Sequence, residues 1–329
     1  MSPRKVPLYA MLLIAVTACT KQEIIPSSAS SVSLSDASYA AAQQQILYQT
    51  IFGLIEEKAS DEQTKADMKT ANVNIIRLTI FLSETTVNKT IDNYLSQGYN
   101  VQISVSWFTG TNTNRGFPPP KDTSAVRSQA TAFFKYYADR KKQISFVSIE
   151  NEWDHEVQSG ANLQDYINEL SIITSVGHKY GFKIADGGIT YASLQRWTYS
   201  QLTGTAQEQW KQKYYVGLNN DYDGLLNMVN TYIAAAKKIN FDYSNVHWYN
   251  NLICGNGYST ASQTFMTACN KKTPVCNEFG IKTSSLTLFT QTVDEITGNA
   301  LYAVAYSGTN KRGKAIKLTN AMLQVLATS

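Results

Sequence analysis

Histidine is scarce in this chain, with three in 329 residues, at positions 155, 178 and 247. None forms a His-x-x-x-His pair, so a helical zinc site of the metalloprotease kind is excluded. G-x-S-x-G is missing as well, which removes the ordinary serine esterase elbow. Charge is sparse at 16% of residues, and the formal net value is +4, with two of the positive residues (Arg4 and Lys5) in a segment expected to be removed. That is not the basic field of a nucleic-acid binder. No apolar stretch is long enough for a permanent membrane-spanning helix, and no internal repeat at fixed period is visible. Gly308 to Lys314 (GTNKRGK) follows phosphate-loop spacing as far as the Lys. Ala315 then stands where Ser or Thr would hold magnesium, and the segment is discarded as a nucleotide site.

What is present begins with 43% hydrophobic residues, 20 Tyr and 5 Trp, enough for a large core and for aromatic faces of the kind that stack on sugars. At the N-terminus, Arg4 and Lys5 precede an apolar run from Leu8 to Val16, and Val16-Thr17-Ala18 leads into Cys19. This pattern resembles a bacterial lipoprotein signal: cleavage after residue 18, then acylation of Cys19. A plain secretory signal with a coincidental Cys is the alternative. A Ser- and Ala-rich tether follows. The expected organisation is a signal peptide at 1–18, a lipidated tether at 19–45 and one folded domain at 46–329. The chain is expected to be exported and held on a bacterial membrane, the outer one being favoured, facing periplasm or cell surface. Its only membrane contact would be the N-terminal lipid.

Beyond the tether, strand-like and helix-like stretches alternate. Strands are expected at Gln49 to Ile55, Asn74 to Leu82, Asn100 to Phe108, Ile144 to Trp153, Phe182 to Thr190, Asn245 to Tyr249, Pro274 to Gly280 and Leu301 to Tyr306. Helices fall between them, with a long, partly helical insertion from Tyr191 to Ile239. Near-continuous apolar strands at helical separation argue for a buried parallel sheet. Eight such units in about 280 residues fit an α/β fold of one kind, a single (β/α)8 TIM barrel.

Polar and aromatic residues gather at the ends of these strands: Arg77, Trp107, Asn151, Glu152, His247, Tyr249 and Glu278. In a barrel such ends share one mouth, where active sites sit. Glu152 closes strand four and Glu278 strand seven, so ring closure would bring two carboxyl groups together. Cleaving a glycosidic bond needs a proton donor at the leaving oxygen and a second carboxylate at the anomeric carbon, about 5.5 Å away in a retaining enzyme.

These residues resemble those of the clan A glycoside hydrolases, most nearly the cellulase-like family 5 group, over the barrel from about Gln49 onward. Asn151-Glu152 looks like the clan's Asn-Glu pair on strand four. The resemblance implies that Glu152 is the acid/base and that Asn151 bonds the sugar 2-hydroxyl. Glu278, in NEFG, would be the nucleophile, Arg77 the strand-two Arg that keeps it ionised, and His247 and Tyr249 the strand-six His-x-Tyr pair. The implied reaction retains configuration through a glycosyl ester of Glu278. Once that ester forms, the charge of Glu278 is gone and Glu152 can act as base toward water. The chain departs from the family on strand three, where SVSWF lacks the usual His, and on strand eight, where Tyr306-Ser307-Gly308 replaces the usual Trp. Trp107 or Trp248 is expected to supply the sugar platform instead.

Each of these residues has a plainer reading. Arg77 could be a structural ion-pair partner, His247 a hydrogen-bonded core imidazole, and any Trp simple packing. Glu150, two residues before Glu152, lacks the Asn151 pairing that favours Glu152. His155, flanked by Asp154 and Glu156, is expected in a solvated loop. Of the cysteines left after lipidation, Cys254 and Cys269 are the expected disulfide, with Cys276 on a buried strand. The expected activity is retaining hydrolysis of a β-linked poly- or oligosaccharide by a monomer, with no metal or organic cofactor. Rival expectations are a surface glycan-binding lipoprotein without turnover, and a barrel transglycosylase or polysaccharide lyase.

Overall fold

The computed structural model describes residues 48–329, except 57–59, 83–87, 108–116, 119, 215–220, 251–256, 272, 282 and 310–314. The expected signal peptide, Cys19 and the tether lie outside the described residues, as does Cys254. Ten strands fall in chain order: β1 (Ile51–Glu56), β2 (Ile75–Phe81), β3 (Asn100–Ser106), β4 (Ile144–Ile149), β5 (Ile184–Ala185), β6 (Ser244–Asn245), β7 (Trp248–Asn250), β8 (Pro274–Ile281), β9 (Tyr302–Thr309) and β10 (Ala315–Ile316). The sheet runs β5-β4-β3-β2-β1-β9-β8-β6, with β7 also on β8 and β10 folding back on β9. All pairings but the last are parallel. Bridges from Ala185 to Tyr243 and from Ile189 to Val246 join β5 to the β6 edge and close the ring. The expected (β/α)8 barrel is the observed fold, β6 and β7 being two halves of its sixth strand.

The helices pack apolar faces around the ring. Leu163–Lys179 shows how: Tyr166, Ile167, Leu170, Ile173, Thr174 and Gly177 are buried at three- and four-residue spacing, the stripe an amphipathic helix presents to a sheet. Each aliphatic side chain so buried contributes roughly 1.5–3 kcal/mol. Its first turn is capped by the Asn162 side chain, which accepts from the Gln164 N–H at 2.9 Å. The insertion is helical at Tyr191–Gln201, Gly204–Tyr214 and Tyr222–Ala236. Among the described residues, no helix is long and apolar enough to cross a membrane.

Three expectations are corrected. The strands are not apolar on both faces. Along β3, Val101, Ile103 and Val105 join the outer core, while Gln102 and Ser104 point inward and bond Ser148 of β4, as a two-residue side-chain period requires. The lower interior instead holds a separate apolar cluster of Phe146, Ala185 and Val275 packed with Tyr243 and Tyr302. The fourth strand stops at Ile149, and Trp153 begins a short helix, Trp153–Gln158. Asp154 and His155 therefore lie on a helix rather than in a solvated loop. Asp154 is fully buried, accepting from the Thr190 N–H and hydroxyl at 2.9 and 2.6 Å, and only His155 is exposed. Finally, Cys269 is a buried free thiol, like Cys276, and not the disulfide-bonded residue expected.

Candidate active site

The corner after β4 is built from two residues in left-handed backbone, Glu150 (φ 68°) and Glu152 (φ 52°), each costing on the order of 1–3 kcal/mol outside glycine. The corner is pinned on both sides. Glu150 donates its N–H to Val105 O at 2.7 Å, and its carboxylate accepts from the Trp107 N–H at 2.5 Å. Glu152 donates its N–H to Gly187 O at 2.9 Å. A Cβ on Gly187 would stand 2.4 Å from Ile149 O, so the strands meet this closely only because that position is glycine. The result turns Glu150 into the protein and Glu152 toward the mouth.

Glu278 reaches the same place by a different device. Asn277 and Glu278 are neighbours, yet both point into the barrel, because the β8–β9 register shifts between Cys276 and Phe279. A bulge of this kind re-aims a side chain that regular alternation would send outward. Arg77 lies at the third residue of β2 and not at its end as expected, and its long side chain climbs to the mouth. The buried guanidinium donates to Glu278 Oε2 at 2.7 Å, Asn277 O at 2.9 Å, Asn151 Oδ1 at 2.5 Å and Ser104 Oγ at 2.9 Å. Tyr249 donates its hydroxyl to Glu278 Oε1 at 2.6 Å. His247 Nδ1 stands 3.2 Å from Glu152 Oε1. An oxygen of each glutamate and a ring nitrogen of His247 lie within 4.8 Å of one another. A cation drawn to these donors would have to compete with Arg77 and Tyr249, which already engage both oxygens of Glu278.

The electrostatics separate the carboxyl groups. Burial alone would raise Glu278, but the charges of His247 and Arg77 and the bonds from Tyr249 and Arg77 outweigh it and hold it below the ordinary carboxylate value. It stays ionised across the neutral range. Glu150 has no such partner: burial dominates, the bond from Trp107 offsets it only in part, and its carboxyl is pushed up. Beside it the buried Glu169 is raised further, by burial and then by the charge of Glu150.

A pH dependence of stability follows. Burial raises Asp186 to about 6. His247 also ends above its usual value, because the bond to Glu152 and the charge of Glu278 overcome burial. A group whose folded pKa is raised contributes stability below its unfolded value and loses it as pH climbs through the folded one. Glu150, Asp186 and His247 share that sign, so urea midpoints are expected to fall between about pH 5 and about pH 8. Glu150→Gln keeps the acceptor for Trp107 and cannot ionise, so it should flatten that decline. An unchanged slope would show that Glu150 is ionised in the folded chain.

Of the sequence-derived site residues, Arg77, Asn151, Glu152, His247, Tyr249 and Glu278 come together. Trp107 follows β3 at the same end and is 8% exposed. Trp248 is the exception. Because His247 and Tyr249 face inward, Trp248 faces out, fully buried, with its ring N–H donating to Glu295 Oε2 at 3.1 Å and its ring against Tyr214 and Tyr258. It is packing and not a platform. Two residues went unnoticed in the sequence as site members. Half-buried Tyr191 and Tyr306 flank Tyr249, with ring centroids 6.0 and 6.4 Å from it. Tyr306 stands on the strand where the family Trp is missing, which was the available signal.

No family model matches the chain, and no curated protein matches it either. Solved structures do. A family 39 glycoside hydrolase from the gut symbiont Bacteroides cellulosilyticus WH2 matches with a TM-score of 0.54 at 10% identity, over 86% of this chain and 64% of that one. The exo-beta-1,4-mannosidase Op5Man5 from Opitutaceae bacterium strain TAV5 matches at 0.53 and 12%, over 87% of this chain and 61% of that one. A family 30 endoxylanase from Clostridium papyrosolvens matches at 0.50 and 14%, over 85% and 72%. The chain thus spans under two thirds of the length of the first two. It shares the barrel fold of these glycoside hydrolases.

Proposed function

We propose that the chain is a retaining glycoside hydrolase acting on a β-linked poly- or oligosaccharide, with Glu278 as nucleophile and Glu152 as acid/base. The observation that carries this reading is the pair of carboxyl groups with oxygens within 4.8 Å, one of them held ionised by Arg77 and Tyr249. Retaining enzymes place the two at about 5–5.5 Å, whereas inverting enzymes leave about 6.5–9.5 Å for a water. In the first step Glu278 attacks the anomeric carbon as the glycosidic bond breaks, and the proton of Glu152 passes to the leaving oxygen. In the second, water gives a proton to Glu152 and its oxygen to the anomeric carbon, releasing Glu278. Asn151, oriented by Arg77 through its carbonyl oxygen, keeps its amide N–H groups for the sugar 2-hydroxyl. Tyr191 and Tyr306 offer aromatic edges or faces beside it.

A panel of purified β-linked polysaccharides, scored by released reducing ends and by the anomer first seen in NMR, tests the reading. Retained configuration is expected, and an inverted first product would overturn it. Oxygen from labelled water at the anomeric carbon separates hydrolysis from transfer or elimination. On the N-terminal sequence we also propose export and lipid anchoring at Cys19, where palmitate labelling should be lost in Cys19→Ala.

A further inference from the structure

The mouth rests on a buried amide chain whose orientation is fixed by the backbone. Asn245, Asn277, His247 and Asp186 are all fully buried. The Asn277 N–H can only donate, and it meets Asn245 Oδ1 at 3.1 Å. The Asp186 carbonyl can only accept, and it meets Asn245 Nδ2 at 3.3 Å. Two backbone groups thus settle which side-chain atom of Asn245 is oxygen and which nitrogen. That nitrogen also donates to the side chain of Asn277 at 2.7 Å, so the atom it meets is an acceptor, Oδ1. The other end of the Asn277 amide donates to Ser148 Oγ at 3.0 Å. His247 Nε2 lies 2.7 Å from the same Asn277 Oδ1. An oxygen there accepts only from an N–H, so Nε2 carries a proton. A neutral imidazole has one N–H, which leaves Nδ1 as a lone pair facing Glu152 Oε1 at 3.2 Å. A lone pair facing a carboxylate is repulsive, and the contact needs one proton between them.

Resting on the glycosidase reading, we propose that Asn277 is a positioning residue which fixes His247 with its proton on Nε2, so that His247 Nδ1 and Glu152 share a single proton, the one delivered to the leaving oxygen. When Glu152 gives that proton away, a carboxylate is left beside the Nδ1 lone pair, and the pair regains a proton from the attacking water. The proton leaving in the first step equals the one gained in the second. Packing keeps the tautomer from escaping. Gly188 sits at φ +82°, and a Cβ there would stand 2.6 Å from His247 Nε2 and 2.9 Å from Asn245 Nδ2, so only glycine lets the backbone back this closely onto the fully buried ring. The charged groups acting on the ring are Glu152, Glu278 of β8 and Arg77 of β2. Asp186 acts through Asn245, whose backbone N–H it accepts at 2.6 Å.

The test is nitrogen NMR of the imidazoles in the full chain labelled at histidine. The chain has three histidines, assigned by replacing His155 and His178 singly. The expected spectrum shows Nε2 of His247 protonated at every pH and Nδ1 gaining its proton in one step. Glu152→Gln should move that step to lower pH by about one unit. Asn277→Asp keeps the acceptor and adds charge, so Nε2 stays protonated and the step moves upward, whereas Asn277→Leu removes the acceptor and should let part of neutral His247 carry its proton on Nδ1, a tautomer shift that a purely structural residue would not cause. A neutral form with the proton on Nδ1 in the parent chain, or a step that ignores Glu152→Gln, overturns the proposal. Absence of hydrolysis on every polysaccharide would instead sink the glycosidase reading and leave these spectra unchanged.

Discussion

Glu278→Ala is expected to lower hydrolysis by roughly 10⁴-fold or more while sugar affinity changes little. In the proposed reaction its carboxylate bonds the anomeric carbon from the face opposite Glu152. Its partners Arg77 and Tyr249 hold it ionised at 2.7 and 2.6 Å, and neither can replace it as a nucleophile. Calorimetric titration of the variant with an oligosaccharide separates lost chemistry from lost binding. The cavity left by the carboxylate should also admit azide. Attack by azide, with Glu152 still able to act on a good leaving group, would produce a glycosyl azide of inverted configuration. Turnover within a few fold of the parent chain would remove Glu278 from the mechanism.

The second large effect is expected at Arg77. Its side chain is 2% exposed and donates to four acceptors on β3, β8 and the β4 corner. Deleting one partner of a buried ion pair costs about 3–5 kcal/mol, because the other charge is left without compensation. Arg77→Ala should therefore lower the urea midpoint by that free energy. Arg77→Lys should recover only part of it, since an ammonium cannot reproduce the planar fork. Removing the cation also removes a cause that lowers Glu278. The sign is then fixed: Glu278 protonates at higher pH, and the acidic limb of kcat/KM moves upward. A destabilised variant with an unmoved acidic limb would make Arg77 a purely structural cation.

Much of this was legible in the sequence. Alternating segments gave the barrel, and glutamates on two strands across the ring from each other pointed to the candidate site. The failures have physical causes. Period-two alternation, applied strictly to His247-Trp248-Tyr249, already excludes Trp248 from the mouth once its two neighbours face inward. The bulge at Cys276 to Phe279 could not be read, because nothing in PVCNEFG says that Asn277 and Glu278 will both turn inward. Nor does the pattern QISVS announce that its polar residues fill a barrel interior, since the same alternation describes a half-exposed sheet. The left-handed corner at Glu150 and Glu152 is set by a tertiary contact with Gly187, which lies on another strand end.

The aromatic cluster at the lower end of the barrel also bears on how molecules would enter and leave. Phe146, Tyr243 and Tyr302 touch one another with ring centroids 5.4–6.2 Å apart, and with Val275 they fill the barrel interior at that end. In the proposed reaction, the departing half of a cleaved sugar and the water that must replace it would then use the same doorway, in opposite directions. A slow-leaving fragment would hold the ester in place and keep bulkier hydroxyl compounds out longer than water. Simple alcohols added in excess should therefore divert product into alkyl glycosides, least with substrates whose leaving portion clings to the rim.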